Sequence, residues 1–249
     1  AKDLRTAQRV DSILRARNIE RKIRVKNAIS SGHYPLGFVD VDLGEVYSSS
    51  TLEGLRLGIG GATNDLFSEE FRIHGYVAYG FDDKKIKHGV GLGASLHHAS
   101  GSWFNLYHSR DIREMGSFEY IQGLRQFFLL SPRNSDIDKF YAYQTYQTSL
   151  THKITPTLNT ELALSRNDIS QHTDYRFFNN GILYDDYQIS EATFGFLWRP
   201  FSEFLFTPED YQEIEKGFPY FTGQITQSFK GLLGGEFNFT KVGLKINYE

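Results

Sequence analysis

Two histidines and a serine supply the residue types that ester hydrolysis needs, in the run His97-His98-Ala99-Ser100-Gly101. Residues two apart in an extended strand share a face, so His98 and Ser100 would stand side by side as general base and nucleophile. The stretch from Ser100 to Ser102 is typical of a turn, where this arrangement is lost, and the sequence identifies no third group to orient the histidine. We therefore expect a polar strand end here and keep catalysis by His98 and Ser100 as an alternative.

Four charged residues lie on the polar faces of consecutive predicted strands: Glu53, Arg56, Arg72 and Lys87. If these side chains pair inside a lumen, they form a ladder of charges. We expect such a ladder to plug the pore or to select among solutes, rather than to catalyse a reaction. The sequence therefore predicts a lumen-facing polar ladder at these positions.

The sequence offers no convincing metal or cofactor site. It contains no cysteine, which excludes disulfides, thiolate nucleophiles and cysteine metal sites. The histidines lack the spacing to other ligands that a metal site needs. The run Gly89-Val90-Gly91-Leu92-Gly93 lies within a predicted strand and no helix follows it, so it is not a nucleotide-binding loop. We expect neither a metal nor a cofactor.

Three runs alternate between apolar residues and polar or small ones: Leu52–Ala62, Phe71–Phe81 and Ile86–His97. A period of two predicts extended strands with one apolar and one polar face. Short polar connections join the runs, as in the antiparallel meander of a transmembrane β-barrel. The residues expected to face lipid are Leu55, Leu57, Ile59, Phe71, Ile73, Val77, Tyr79, Val90 and Leu92.

The composition fits a membrane barrel and excludes a helical membrane protein. No apolar run approaches the about 20 residues that a spanning helix needs. Barrel strands need only about 9–11 residues, and their alternation keeps the mean hydropathy low. The chain has 21 Phe, 15 Tyr and 23 Gly. Aromatic residues suit membrane–water interfaces, and glycines suit the inner wall of a curved sheet.

Seven further strands are predicted beyond His97, which gives about ten in the chain. They are Trp103–Ile112, Phe118–Leu130, Phe140–Ile154, Thr157–Arg166, Gln188–Trp198, Tyr220–Lys230 and Glu236–Tyr248. Three long polar stretches are candidate extracellular loops, because barrels carry their long loops outside. These stretches are Ser131–Asp138, Asn167–Tyr187 and Arg199–Phe218. The predicted fold is all-β, an antiparallel transmembrane β-barrel that forms part of a larger barrel.

The pattern divides the chain into a helix at 1–31, a linker at 32–50 and the β-barrel at 51–249. Residues 1–30 hold nine Lys/Arg and three Asp/Glu, with apolar residues at helical spacing. We expect this basic amphipathic helix to lie against its own barrel, with membrane-surface contact as the alternative. Nucleic acid is disfavoured as a partner, because no base-stacking aromatic residues lie among the arginines.

Several turn and strand motifs carry a family resemblance. They are Gly32-His33-Tyr34-Pro35-Leu36-Gly37, Asp40-Val41-Asp42-Leu43-Gly44, Leu52-Glu53-Gly54-Leu55-Arg56-Leu57-Gly58, Gly75-Tyr76-Val77-Ala78-Tyr79-Gly80-Phe81-Asp82-Asp83-Lys84, Pro219-Tyr220-Phe221-Thr222 and Gly234-Gly235-Glu236-Phe237-Asn238-Phe239. The chain resembles the barrel region of large outer-membrane proteins of the Bacteroidetes group, in which a carboxypeptidase-regulatory-like domain precedes a barrel of unknown function. The resemblance implies a fold and a location but no catalytic residue. Because the regulatory-like domain is missing and more strands would be expected after Glu249, we expect a fragment, with the barrel truncated at its C-terminus.

By this resemblance the chain is a non-enzymatic protein of the bacterial outer membrane, an accessory or scaffold in envelope assembly, export or uptake. Its partners would be outer-membrane lipid and other outer-membrane or periplasmic proteins in a complex. Two alternatives stay open: a barrel-borne lipid hydrolase that uses His98 and Ser100, and a soluble β-barrel that binds an apolar ligand. In the soluble barrel the apolar faces would point inward. Glycine density on the polar faces favours the membrane, since an inner wall uses small residues and a solvent-exposed face does not.

Overall fold

The structure is a computed structural model that describes residues 32–97, 100–122, 139–171, 177–179, 181–206 and 211–248. The helix predicted at 1–31 lies outside the described residues, as does His98. Within these ranges, no helix is long and apolar enough to cross a membrane. The described part of the chain is mainly β-strand.

Sixteen strands and one short 3-10 turn, Leu43–Glu45, make up the regular structure of the described residues. In chain order the strands are β1 His33–Leu36, β2 Val39–Asp42, β3 Tyr47–Ser50, β4 Gly54–Thr63, β5 Phe71–Gly80, β6 Ile86–His97, β7 Ser102–Glu114, β8 Phe140–Thr155, β9 Leu158–Gln171, β10 Phe177–Asn179, β11 Ile182–Tyr184, β12 Asp186–Trp198, β13 Glu203–Phe206, β14 Tyr211–Glu215, β15 Tyr220–Ser228 and β16 Thr240–Asn247. The all-β prediction is confirmed.

Twelve of these strands form one antiparallel sheet, in the order β1-β2-β4-β5-β6-β7-β8-β9-β12-β15-β16, with β3 also paired to β4. The strands β10–β11 and β13–β14 form two separate hairpins. The long strands are neighbours in the order of the chain, which confirms the predicted meander. In the part of the chain that the structure describes, β16 pairs with β15 alone and no pairing closes the sheet into a barrel.

Residues 39–50 run along β4 for most of its length. Strand β2 pairs with residues 60–63 of β4, and β3 pairs with residues 54–57. Between them the chain leaves the ladder as the 3-10 turn, which begins where the carboxylate of Asp42 accepts a hydrogen bond from the N–H of Gly44 at 2.9 Å. The range 32–50, predicted as a linker, therefore contributes three strands to the sheet.

The two faces of the sheet differ in chemistry. A row of directly paired residues crosses one face from β5 to β16, and we call it the apolar row. Its members are Phe71, Ala94, Phe104, Leu150, Leu162, Phe194, Ile225 and Val242. The seven large side chains of the row are 40–73% exposed. We call this the outer face. The inner face carries the buried charged side chains, among them Arg56, Lys87 and Asp111.

Residues 115–122, which follow β7, require the sheet to curl. Phe118 lies four residues after Glu114, the last residue of β7. The N–H of Ser117 donates back to the carbonyl of Glu114 at 3.3 Å, so the chain turns here, and Phe118 with its ring reaches at most about 17 Å from the end of β7. The ring of Phe118 nevertheless lies against Gly243 of β16. Strand β16 is five places further along the sheet, which is about 24 Å if the sheet were flat. The inner face is therefore concave.

The strand predicted at Phe118–Leu130 is wrong in its described part, since residues 118–122 are irregular. These residues cross the inner face and do not join a ladder. The backbone N–H of Ile121 donates to Oε1 of Gln224 at 2.8 Å, so its acceptor is a side-chain oxygen and not the carbonyl of a neighbouring strand.

The long connections lie at both ends of the sheet. Successive connections of a meander alternate between its ends, so residues 181–185 and 199–206 lie at opposite ends of β12. The prediction that Asn167–Tyr187 and Arg199–Phe218 share one side is therefore wrong. The first of these stretches also contains the end of β9 and the start of β12.

Candidate functional site

Charged side chains meet on the inner face where β4, β5 and β6 come together. The Nζ atom of Lys87 lies 2.9 Å from Oε1 of Glu53 and also contacts the carboxylate of Asp83. Both Glu53 and Lys87 are buried. Gly80 of β5 provides the space, because a Cβ atom there would lie 2.6 Å from this Nζ atom.

Arg56 extends these contacts towards β7. Its Nη1 and Nη2 atoms donate to the two carboxylate oxygens of Asp111 at 2.8 and 3.0 Å, a bidentate geometry that is among the stronger protein hydrogen bonds. Its Nη2 atom also donates to Glu45 at 3.3 Å, which the 3-10 turn brings over β4. The hydroxyl of Tyr76 donates to Oδ2 of Asp111 at 2.6 Å.

We call these seven residues the inner cluster: Glu45, Glu53, Arg56, Tyr76, Asp83, Lys87 and Asp111. Burying charges is costly unless each is paired and hydrogen-bonded. In the inner cluster, each of the two cations contacts at least two carboxylates. Four carboxylates share two cations, so this part of the concave face is acidic. The arrangement ties β4, β5, β6 and β7 together and occupies space between them, which suits a structural or pore-restricting role.

Three of the four residues predicted as a polar ladder meet in the inner cluster, and Arg72 does not. The guanidinium of Arg72 lies 3.7 Å from Oδ1 of Asp65 and 4.6 Å from the ring centre of Trp103. Its side chain is half-exposed. Arg72 therefore belongs to the rim of the sheet near the connection from β4 to β5.

The serine of the alternative catalytic pair lies in a chain of hydrogen bonds at the turn between β6 and β7. The Oγ atom of Ser100 lies 3.0 Å from Nδ1 of His97 and 2.7 Å from Oγ of Ser102. Ser102 in turn lies 2.8 Å from Nδ1 of His152 on β8. Both separations between a serine hydroxyl and a histidine nitrogen, Ser100 to His97 and Ser102 to His152, suit proton transfer between a nucleophile and a base, and only the second joins two neighbouring strands.

The nine residues predicted to face lipid all lie with exposed side chains. Leu55, Leu57, Ile59, Phe71, Ile73, Val77, Tyr79, Val90 and Leu92 are 39–69% exposed. Large apolar side chains exposed over several neighbouring strands form a contiguous patch, and such patches mark contact with a membrane or a partner.

Four members of the inner cluster lie outside the predicted polar ladder: Glu45, Tyr76, Asp83 and Asp111. A signal was present for Asp111, because it shares the inner face of β7 with Ser109 and Tyr107 in strict alternation. Glu45 and Asp83 lie in turns, where alternation predicts nothing. Among the described residues, no group of three or more His, Cys, Asp or Glu is placed to hold a metal ion.

Fold and site together define an all-β protein built on one curled antiparallel sheet, with an apolar outer face and a charged inner face. The chain belongs to a family of unknown function, DUF5686, whose C-terminal domain matches residues 42–249. No curated protein and no solved structure matches the chain significantly. The family has no known function, and the two faces of the sheet are the features that bear on the role of the chain.

Proposed function

We propose that this chain is a non-enzymatic, membrane-embedded β-barrel segment of a bacterial outer membrane, which serves as an accessory or scaffold in envelope assembly, export or uptake. The observation that carries the proposal is the apolar row, which crosses eight neighbouring strands and whose seven large side chains are exposed. In water, such a surface would be a liability. In lipid, it is the surface that a barrel presents to the hydrocarbon.

The outer face also changes character along the strands, as a membrane boundary requires. Polar residues replace the apolar ones in a second row of paired residues nearer the start of β8: His88, Arg110, Gln144, Asp168 and Gln188. On β8, Gln144 and Leu150 of the apolar row are six residues apart, about 20 Å. The outer apolar band of a barrel is about 25 Å tall, so the two rows would lie at different depths of the membrane.

The inner face supports the same orientation. A soluble barrel with an apolar ligand inside would bury the apolar row and expose Arg56 and Lys87. The structure has the opposite arrangement, since both cations are buried on the concave side.

Lipid tolerates no unpaired strand edge, so the proposal requires that the free edge of β16 is paired in the membrane.

The way the inner face is occupied supports a role as scaffold or accessory over a role as an open pore. The inner cluster and residues 115–122 fill space that an open pore would leave to water. The resemblance of the chain to Bacteroidetes outer-membrane barrels points to the same compartment and to partners in the envelope.

Extraction and gel mobility test the proposal. We expect the protein to require detergent and to migrate as a compact species that shifts on boiling. Leu150→Arg places a charge in the apolar band at a cost of about 2–4 kcal/mol, whereas the same change near the interface costs about 0–1 kcal/mol. Leu150→Arg should therefore lose most of the heat-modifiable species, and Gln144→Arg on the same face of the same strand should keep it.

Solubility in plain buffer without a mobility shift would refute the proposal. If Leu150→Arg and Gln144→Arg give the same amount of heat-modifiable species, the apolar row does not face lipid.

A lipid hydrolase is the second candidate, and the 2.8 Å contact between Ser102 and His152 favours it. It replaces the pair of His98 and Ser100 with one on adjacent strands β7 and β8. The purified protein would then hydrolyse phospholipid in detergent, and Ser102→Ala would abolish the activity while keeping the heat-modifiable band. Absence of activity in the parent protein would eliminate this candidate.

A further inference from the structure

We propose that residues 115–122, which we call the inner segment, form a built-in plug that blocks the lumen of the barrel. This inference rests on the proposed membrane function, because a plug needs a lumen. The inner segment leaves β7 and crosses the concave face as far as β16, so it lies across the path that a solute would take.

Hydrogen bonds hold the inner segment to strands on the far side of the concave face. The backbone N–H of Ile121 donates to Oε1 of Gln224 on β15 at 2.8 Å, and Nε2 of Gln224 donates back to the carbonyl of Glu119 at 3.4 Å. Nε2 of Gln122 donates to Oε2 of Glu161 on β9 at 2.7 Å. The side chains of Gln224 and Glu161 therefore serve as docking points, and they come from two different strands.

Glycines on the inner wall form recesses where the apolar side chains of the inner segment dock. A Cβ atom on Gly195 of β12 would lie 2.7 Å from Cγ1 of Ile121. A Cβ atom on Gly243 of β16 would lie 2.5 Å from the ring of Phe118. Any larger residue at these two positions would fill the recess, so the glycines allow the side chains of Phe118 and Ile121 to pack against the inner wall.

The start of the inner segment is anchored to β7. Nη2 of Arg113 donates to Oε2 of Glu119 at 2.7 Å, and the guanidinium lies 4.6 Å from the ring centre of Tyr143 on β8. With one end fixed on β7 and the other docked on β9, β12 and β15, the segment bridges the concave face. A bridge of this kind excludes ions and small polar solutes while it is docked.

Cross-linking tests the position of the inner segment, and the absence of native cysteine makes engineered pairs unambiguous. The variant Ile121→Cys with Gly195→Cys should form a disulfide on oxidation. The control pair, Ile121→Cys with Gly93→Cys, places the second cysteine on the inner face of β6 and should not form one. Equal cross-linking of both pairs would overturn the docked position.

Conductance in planar bilayers tests the blocking role. Gln224→Ala combined with Glu161→Ala removes the side-chain hydrogen bonds of the dock, and we expect the mean current to rise about tenfold over the parent. Gln147→Ala, on the inner face of β8, should conduct like the parent. A current that does not rise, in protein that is still heat-modifiable, would refute the plug and leave the membrane barrel intact. A parent protein that shows no mobility shift on boiling would instead refute the barrel.

Discussion

Lys87 lies between the carboxylates of Glu53 and Asp83 with a side chain only 3% exposed. A buried cation with two buried anionic partners is stable only as a set, because each partner offsets the cost of removing the others from water. The inner cluster is therefore stable only when all of its charged side chains are present. Removing one of them should lower the free energy of unfolding by more than a surface ion pair contributes to it.

Lys87→Met tests this at the level of one residue. Breaking a buried ion pair by removing one partner costs about 3–5 kcal/mol, so we expect the free energy of unfolding to fall by about 3 kcal/mol. The measurement is urea unfolding in detergent, followed by circular dichroism, because Arg72 contacts the ring of Trp103 and its loss would alter tryptophan fluorescence directly. Arg72→Met is the matched control: its partner Asp65 is 83% exposed, and exposed pairs contribute at most about 1 kcal/mol. Equal losses in both variants would contradict the account of the inner cluster.

Arg72 also illustrates what alternation can predict about single residues. It shares the inner face of β5 with Ala78, the residue paired with Lys87, but the two lie six residues apart, about 20 Å along the strand. A period of two predicts which face of the sheet a side chain lies on. It does not predict how far along the strand the side chain lies from charged partners on neighbouring strands. The meeting of Arg56 with Asp111 depends on strand register and on the curl of the sheet, which the pattern of one strand does not contain.

Strand β4 shows how a small residue lets two elements pack closely. A Cβ atom on Gly58 would lie 2.7 Å from the carbonyl oxygen of Glu45 and 2.8 Å from that of Val77. Both are backbone atoms, which cannot rotate away. Glycine at this position therefore allows the 3-10 turn to lie over the inner face of β4 and to bring Glu45 to Arg56.

Gly58→Ala is the corresponding test at the level of the element. We expect it to lower the free energy of unfolding by about 1–3 kcal/mol, the usual cost of overpacking, because the turn must move. Gly93→Ala on β6 serves as control, since the nearest atom there is Oδ1 of Asn105, at 2.9 Å, on a side chain that can rotate. A loss as large for Gly93→Ala as for Gly58→Ala, in the same urea titration, would argue against a specific role for Gly58.

The elements that the sequence predicted well are those with uninterrupted alternation, such as β5 and β6. The range 32–50 has the sequence of a linker, because Pro35 and Gly37 break regular structure and its alternation is brief, although three short strands in it pair within the sheet. Phe118–Leu130 resembled a strand because it holds spaced apolar residues. Two of these, Phe118 and Ile121, pack into glycine recesses on the inner wall. The local sequence does not distinguish an irregular segment that packs on a sheet in this way from a strand that pairs within the sheet.

For the whole molecule, the question that alternation leaves open is which face points inward. A membrane barrel and a soluble barrel share the same period, and they differ only in the sense of the curl. Glycines on the polar face favoured the membrane orientation. The structure adds the sense of the curl, because residues 115–122 pass across the face that carries Arg56, and the apolar row lies on the opposite side.

The sidedness of the sheet in lipid is the most direct test of the account, and adjacent residues of β9 provide it. Leu164 lies on the outer face and is half-exposed, whereas Ser165 lies on the inner face. Each residue is replaced by cysteine in turn, labelled with a fluorophore, and reconstituted into vesicles of brominated phospholipid, whose bromine quenches only labels in contact with the acyl chains. We predict strong quenching of the label at position 164 and emission at position 165 close to that in unbrominated lipid. Equal quenching at the two positions, or stronger quenching at position 165, would contradict a lipid-facing outer surface.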